Sequence, residues 1–138
     1  FHCIGGDVPA EVQALSDIDG VRIHGHVPDL QPWLEGCRVS IAPLRYGAGV
    51  KGKVNQAMAH GLPVVATSPA VEGMHLVDGL DALVADDADG FADAVLRLYD
   101  DEALWNRIAI NGRANVARHF SMDAARAVVR ELFLSAPR

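Results

Sequence analysis

Short apolar runs alternate with helix-like patterns along residues 1–85. The apolar runs have the length of strands rather than helices, and most end at Gly, Pro or Ser. The runs that predict strands are FHCI (1–4), VRIHG (21–25), RVSIAPL (38–44), PVVATS (63–68) and ALVA (82–85). The stretches that predict helices are PAEVQALS (9–16), DLQPWLEG (29–36) and VKGKVNQAMAHG (50–61). This alternation is typical of βαβ units around a parallel sheet.

Capping residues and breakers mark the ends of these elements. Asp29 is the expected N-cap of the helix at 29–36, and Gly36 is expected just past its end. In the helix at 50–61, one face carries Val54, Ala57 and Met58. We expect residues 1–4 to form a buried strand and PAVEGMHLVDGLD (69–81) to be a loop.

After residue 85 the alternation stops and three amphipathic helices follow. They are expected near 87–99, at 101–118, and after Ser121, which is the N-cap of the third. The residues expected to be buried are Phe91, Ala94, Val95 and Leu98 in the first, Leu104, Trp105 and Ile108 in the second, and Ala125, Val128, Val129, Leu132 and Phe133 in the third. The predicted fold is α/β: a Rossmann-like open parallel sheet flanked by helices, with extra C-terminal helices. Residues 1–138 are expected to form a single domain.

Composition narrows the class of protein. The net charge is −6, whereas nucleic-acid-binding domains are usually basic, so we expect no nucleic-acid partner. No apolar run approaches the roughly 20 residues of a membrane span. Cys3 and Cys37 are predicted to be reduced and buried, which favours the cytoplasm. FHCIGG resembles a strand with no initiator Met or signal peptide, so we expect the chain to begin inside a longer polypeptide.

Positive charge is concentrated in one acid-free segment. Residues 36–71 contain no Asp or Glu but contain Arg38, Arg45, Lys51 and Lys53, a formal charge of +4. The glycine-rich part of this segment lies between a predicted strand and a helix N-terminus, where unpaired N–H groups also attract anions. The segment therefore predicts a phosphate site. The alternative is that these lysines are solvated and that the glycines only form a turn.

Two common phosphate motifs fit the loop incompletely. GAGVKG (47–52) matches GxGxxG, but residues 43–46 separate it from the strand, and the next strand ends in Thr67 and Ser68 rather than in an acid. GAGVKGK (47–53) is similar to a Walker A loop, but Val54 stands where Ser or Thr would reach magnesium. A dinucleotide-dependent oxidoreductase therefore stays as a less favoured alternative, and nucleoside triphosphate hydrolysis is disfavoured.

A third pattern fits better. The GG pair at 5–6, the stretch VRIHGHVPDLQPWLEGCRVSIAPLRYGAGVKGKVNQAMAHGLPVVATS (21–68) and VEGM (71–74) resemble the C-terminal, donor-binding domain of GT-B glycosyltransferases of the retaining group-1 type. The resemblance covers residues 4–100 approximately, and its most specific part is 43–67. It implies an enzyme that transfers a sugar from a nucleotide-diphospho-sugar to an unidentified acceptor. The nucleotide sugar is a substrate, and the resemblance implies no cofactor.

The resemblance assigns roles to particular residues. In that family the loop binds the diphosphate of the sugar donor through backbone amides and without a metal, and a lysine can add charge. The implied sites are the diphosphate (Gly49, Val50, Lys51 and Lys53), the ribose (Gln56), the base (Gly25, His26 and Val27) and the vicinity of the donor sugar (Ala48 and Glu72). The six histidines show no metal-ligand spacing, and we predict no metal site. His26 as a turn residue and Glu72 as a plain loop carboxylate remain alternatives.

Two departures from the family pattern keep a second function open. The family often carries acids at the positions of Ala48 and Gln56; here Gln56 can still hydrogen-bond a ribose hydroxyl, while Ala48 has no polar group. A catalytically degenerate nucleotide-binding module is therefore the alternative function.

The resemblance also implies partners. An N-terminal acceptor-binding domain and the first strand and helix of the donor domain would precede Phe1, so this fragment alone is expected to be inactive. The only expected membrane contact is peripheral and through that missing part. The last helix would meet the N-terminal domain, which predicts an exposed apolar patch at Phe133 or Leu134.

Overall fold

The computed structural model describes residues 1–134, and the chain divides into two compact units, Phe1–Trp33 and Leu34–Arg138. The first unit contains β1 (His2–Ile4), α1 (Ala10–Gln13), a 3-10 turn (Ala14–Asp17) and β2 (Arg22–Gly25). Strands β1 and β2 pair in parallel, with His2 opposite Arg22. The predicted strands and helix of this unit are confirmed.

Burial in the first unit differs from the expectation. Phe1 and His2 are exposed, and Cys3 and Ile4 are only partly buried, so residues 1–4 are not a buried strand. Both cysteines are free and partly buried rather than fully buried. The apolar character of a short run indicates a strand, but its burial depends on how many elements pack against it, and β1 has a single paired strand in the described residues.

Helix α2 (Gln31–Gly36) contains the boundary between the two units. Its ends differ slightly from the prediction. The Asp29 carboxylate accepts a hydrogen bond from the Gln31 amide at 2.9 Å, so Asp29 lies two residues before the first helical residue. Gly36 is the last helical residue and not the residue beyond the end.

The second unit continues the alternation of strands and helices. Its remaining elements are β3 (Ser40–Ala42), α3 (Gly52–Ala59), β4 (Val64–Ala66), α4 (Ser68–Val71), β5 (Leu83–Val84), α5 (Ala88–Asp100), α6 (Glu102–His119) and α7 (Met122–Leu134). The predicted strands and the helices after them are confirmed. The segment predicted as a loop at 69–81 begins inside α4.

Strands β3, β4 and β5 form a parallel sheet in that order. Ala42 pairs with Ala66, so β3 and β4 end at the same edge of the sheet. All three residues of β4 are buried, as expected for a parallel strand covered on both faces. Its side chains alternate between two core clusters: Val64 and Ala66 pack with α3, and Val65 packs with α5 and α6.

Helix α3 ends in a Schellman motif. The Gly61 amide donates to the Met58 carbonyl at 2.9 Å, and the Leu62 amide donates to the Ala57 carbonyl at 3.0 Å. Gly61 has a φ of +73°, which favours glycine. The sharp end of the helix lets the chain enter β4 directly, and Val54, Ala57 and Met58 are buried as predicted.

The burial predicted for α7 is wrong. Ser121 does cap the helix, because its hydroxyl accepts from the Ala124 amide at 3.1 Å. However, no residue of α7 is buried, and the five residues predicted to be buried are exposed: Ala125, Val128, Val129, Leu132 and Phe133. Their spacing identifies an apolar face but not an element that covers it. Phe133 and Leu134 are 81% and 85% exposed, as the resemblance led us to expect.

Helices α3 and α6 approach closely at Gly112. A Cβ at Gly112 would lie 3.1 Å from the Asp81 carbonyl oxygen and 3.1 Å from Met58 Cε. Gly112→Val should therefore destabilise the fold by about 1–3 kcal/mol through overpacking. The matched control is Ala117→Val at an exposed position of the same helix, which should cost about 0.5 kcal/mol through helix propensity. Chemical denaturation measures both, and equal unfolding midpoints for the two variants would contradict the tight approach.

Candidate functional site

The loop of residues 43–51 leaves the sheet at the carboxyl end of β3. Thr67, which follows β4, fixes the start of this loop. Its hydroxyl donates to the Leu44 carbonyl at 2.6 Å, and its amide donates to the Ala42 carbonyl at 3.3 Å. The loop therefore begins at the edge of the sheet where ligands of open α/β folds usually bind.

The tip of the loop is exposed main chain. Residues 47–50 are all exposed, and Gly49 adopts a φ of +73°, a conformation that non-glycine residues rarely take. Lys51 then precedes the first turn of α3, and its carbonyl accepts from the Val54 and Asn55 amides at 3.0 and 3.2 Å. The glycines thus allow the chain to make a tight turn at 47–50 and to enter α3 directly afterwards.

The start of α3 carries unpaired amides. Among residues 1–134, the N–H groups of Gly52 and Lys53 have no protein acceptor, and the first turn contains no acidic residue. Unpaired N–H groups and the helix dipole give such a terminus a partial positive charge. The site predicted from the sequence at 49–53 is therefore a surface that can accept an anion.

Lys51 is turned into the protein. The residue is 7% exposed, and its Nζ donates to the carbonyls of Gly49 at 2.7 Å and Gly47 at 3.3 Å. Its main-chain N–H donates to Met74 Sδ at 3.3 Å. Of the four residues implied for the diphosphate, Lys51 has its amide engaged within the protein, whereas the amides of the other three have no partner among the described residues.

Arg38 is also engaged elsewhere. Its guanidinium donates to the carbonyls of Leu98 at 3.3 Å and Tyr99 at 3.0 Å, and lies 5.6 Å from the centre of the Tyr99 ring. It therefore stabilises the C-terminus of α5, where a cation is favoured. Of the four positive residues in the acid-free segment, only Arg45 and Lys53 are exposed and have no hydrogen-bond partner in the described part of the chain.

The positions implied for ribose and sugar are exposed. Ala48 is at the loop tip, and Gln56 is in the second turn of α3. Glu72 is exposed just after α4, two residues before the Met74 sulfur that accepts the Lys51 amide. The contact between Lys51 and Met74 therefore brings the VEGM segment against the start of α3, which no local sequence signal indicated.

The positions implied for the base lie in the first unit. Gly25 is the last residue of β2, with a φ of +67°, and its carbonyl accepts from the Gly5 amide at 2.8 Å. His26 is exposed and Val27 is partly buried. The turn after β2 is thus held by the paired strand, and the His26 side chain is accessible.

The structure also contains a cleft of about 870 Å³ that the sequence did not predict. It opens beside the ends of β3 and β4, and its lining includes Pro43, Arg45, Ser68, Asp86 and Phe91. Asp86 accepts from the Ser68 hydroxyl at 2.6 Å and from the Ser68 amide at 2.7 Å. These two hydrogen bonds lower the pKa of the Asp86 carboxyl below its usual value. The polar residues after β4 and β5 were the available sequence signal, since strands of one parallel sheet end at one edge.

The described residues contain neither a metal-ligand cluster nor a helix suited to a bilayer. No group of three His, Cys, Asp or Glu residues within 1–134 could hold a metal ion. No helix in that range is long and apolar enough to cross a membrane.

A family model described as "Glycosyl transferases group 1" matches residues 1–101. The match covers most of the chain, and the chain therefore belongs to the group 1 glycosyl transferases. A curated relative is the lipopolysaccharide core biosynthesis glycosyltransferase LpsE of Rhizobium meliloti (strain 1021), with 29% identity over 119 residues. That alignment covers 85% of this chain and 35% of LpsE, so the chain spans about a third of the length of this relative.

Solved structures agree on the fold. Sucrose-phosphate synthase from Thermosynechococcus elongatus matches 98% of this chain and 39% of its own chain, with 24% identity and a TM-score of 0.78. Anabaena Alr3699/HepE in complex with UDP matches 97% of this chain and 40% of its own, with 16% identity and a TM-score of 0.82. The predicted Rossmann-like α/β fold of GT-B glycosyltransferases is thus confirmed.

The Ser68–Asp86 contact predicts a dependence of stability on pH. Because the pKa of Asp86 is lowered in the folded protein, its stabilising effect is present above the usual carboxyl pKa of about 3.9 and is lost as the pH falls through the lowered value. Asp86→Asn should therefore unfold at a lower denaturant concentration at neutral pH and lose less stability on acidification. Asp93→Asn, at an exposed position of α5, is the control. Parallel pH profiles for wild type and Asp86→Asn would contradict this role.

Proposed function

We propose that this chain is the donor-binding half of a retaining glycosyltransferase that transfers a sugar from a nucleotide-diphospho-sugar to an unidentified acceptor. The observation that carries the proposal is the exposed glycine loop that opens α3 with unpaired amides, inside a segment that belongs to the group 1 glycosyl transferases. The UDP complex of HepE, which has the same fold, supports a nucleoside diphosphate as the ligand.

The diphosphate is the proposed ligand of the loop and the start of α3. Amides of Gly49 and Val50, together with those of Gly52 and Lys53, would donate to phosphate oxygens. Breaking the bond between sugar and phosphate increases the negative charge on the leaving nucleotide. Fixed N–H donors at this position therefore stabilise the transition state more than the ground state. In this proposal the main-chain N–H groups stabilise the leaving diphosphate, and no metal or cofactor is needed.

The remaining contacts follow the family resemblance. We place the ribose at Gln56, whose side-chain amide can both donate and accept hydrogen bonds. The base is assigned to the turn at Gly25, His26 and Val27, and the donor sugar to the vicinity of Ala48 and Glu72. The acceptor would be bound by a separate N-terminal domain, so residues 1–138 alone should not transfer sugar.

The exposed Ala48 supports a second candidate function. This position has no polar group, and Gln56 carries no charge, so neither residue can act as an acid or base. A module that binds a nucleotide without turnover is therefore the alternative. The free thiols of Cys3 and Cys37 favour a reducing compartment for either function, and we propose the cytoplasm.

Titration calorimetry with UDP tests the ligand. Gly49→Val should weaken the affinity about tenfold or more, because it strains a left-handed residue and blocks the approach to the amides. Gly79→Val is the matched control: Gly79 also has a φ of +73° and open space at its Cβ, but lies in the loop before β5. The control should bind UDP like wild type. Preference for NAD over UDP and GDP would contradict the proposal.

Turnover separates the two candidate functions. The full-length protein should hydrolyse or transfer the sugar of its nucleotide donor with retained anomeric configuration. Nucleotide binding without turnover for any donor sugar would instead favour the degenerate module.

A further inference from the structure

We propose that the two lysines of the chain have different tasks: Lys51 is a positioning residue that shapes the loop from inside, and Lys53 is the lysine that contacts the diphosphate. The second task rests on the proposed function. The first is a property of the free protein and is tested without nucleotide.

The Lys51 ammonium holds two loop carbonyls. Its Nζ is 2.7 Å from the Gly49 oxygen and 3.3 Å from the Gly47 oxygen, and Lys51 is 7% exposed. A buried ammonium is costly unless its donors are satisfied. Lys51 forms no ion pair with a carboxylate among residues 1–134, and the recorded partners of its ammonium are these two carbonyls, so their dipoles compensate the charge. The ammonium therefore keeps these carbonyls directed inward.

Peptide geometry converts this contact into an anion-binding surface. No peptide bond of the described chain is cis, so each carbonyl points opposite to the N–H of the next residue. With the carbonyls of Gly47 and Gly49 on the ammonium, the N–H groups of Ala48 and Val50 must point away from it. Ala48 and Val50 are exposed, and neither amide has a protein acceptor among residues 1–134. Lys51 thus presents two amides outward without contacting the ligand itself.

The main chain of Lys51 connects the loop to Met74 on one side and to the first turn of α3 on the other. Its N–H donates to the Sδ of Met74, a residue with no exposed surface. Its carbonyl accepts from the amides of Val54 and Asn55 in the first turn of α3. The inward ammonium, the loop carbonyls and the helix start therefore form one connected unit.

Lys53 has the opposite environment. It lies in the first turn of α3, is exposed, and has no hydrogen-bond or ion-pair partner in the described range. Its charge is close to the unpaired amides of the same turn. Lys53 can therefore reach an anion at the helix start with little rearrangement, whereas Lys51 would first have to release two carbonyls.

Amine acylation of the wild-type protein tests the position of Lys51 without any nucleotide. Because the chain has only two lysines, peptide mass spectrometry assigns each modification. Because Lys51 can react only after local opening, Lys53 should react at least about tenfold faster than Lys51 in the folded protein. After denaturation the two lysines should react at the same rate. Equal rates in the folded protein would overturn the proposal.

Matched variants test the effect on the loop. Lys51→Met keeps the length of the side chain but removes the ammonium, and Lys53→Met makes the same change at the exposed position. Backbone order parameters of residues 47–50, measured by NMR without nucleotide, should fall from about 0.85 to below about 0.6 in Lys51→Met. They should be unchanged in Lys53→Met. An ordered loop in folded Lys51→Met would overturn the positioning role, and the acylation rates decide the question if this variant does not fold.

Salt dependence distinguishes a direct charge contact from an indirect one. A lysine on the phosphates makes UDP affinity fall with ionic strength, because salt screens exposed charge pairs. Lys53→Met should weaken affinity and flatten this dependence. Lys51→Met should weaken affinity about tenfold with the wild-type dependence retained. The reverse pattern would overturn the division of tasks. If wild type binds neither UDP nor GDP, the proposed function and the assignment of Lys53 are both wrong, while the acylation rates and order parameters still decide the role of Lys51.

Discussion

Strand β4 is buried on both faces, and this burial constrains the rest of the second unit. A parallel strand in this position must be covered by helices on each side, so α3 packs on Val64 and Ala66 and α5 on Val65. Polar side chains can then reach solvent only beyond the ends of this strand. The loop before α3, Thr67 and Asp86 accordingly lie after successive strands at one edge.

The same constraint explains how the acid-free segment is used. Positive residues that flank a strand of this sheet must either reach solvent or find acceptors nearby. Arg38 finds the carbonyls at the end of α5, and Lys51 finds those of its own loop. The remaining cations, Arg45 and Lys53, are exposed: Arg45 lines the cleft beside the ends of β3 and β4, and Lys53 lies in the first turn of α3. Two of the four positive side chains of this segment are therefore without a partner in the described part of the chain, and the dipole of the α3 N-terminus adds partial positive charge.

A rigid arrangement of amides suits the proposed chemistry. Donors that are already directed at the leaving diphosphate need no reorganisation when charge develops there. In our proposal Lys51 orders the tip of the loop, because its side chain, N–H and carbonyl are all engaged, while Thr67 holds the start of the loop. Glycine at 49 makes the required turn accessible, and the buried sulfur of Met74 fixes where the helix begins relative to the VEGM segment.

Local pattern alone determined the strands, the helices, the parallel topology, the separation of positive charge and the family resemblance, because each depends on neighbouring residues or on a short periodicity. It also singled out the glycine loop as the predicted phosphate site, which stays a prediction. The tertiary structure decided which lysine turns inward, what Arg38 contacts, where Met74 lies and that α7 leaves its apolar face exposed. The physical reason is distance along the chain: Lys51 meets Met74 across 23 positions and Arg38 meets Leu98 across 60, and no local pattern records such contacts. Whether an apolar face is covered likewise depends on other elements and not on the helix that carries it.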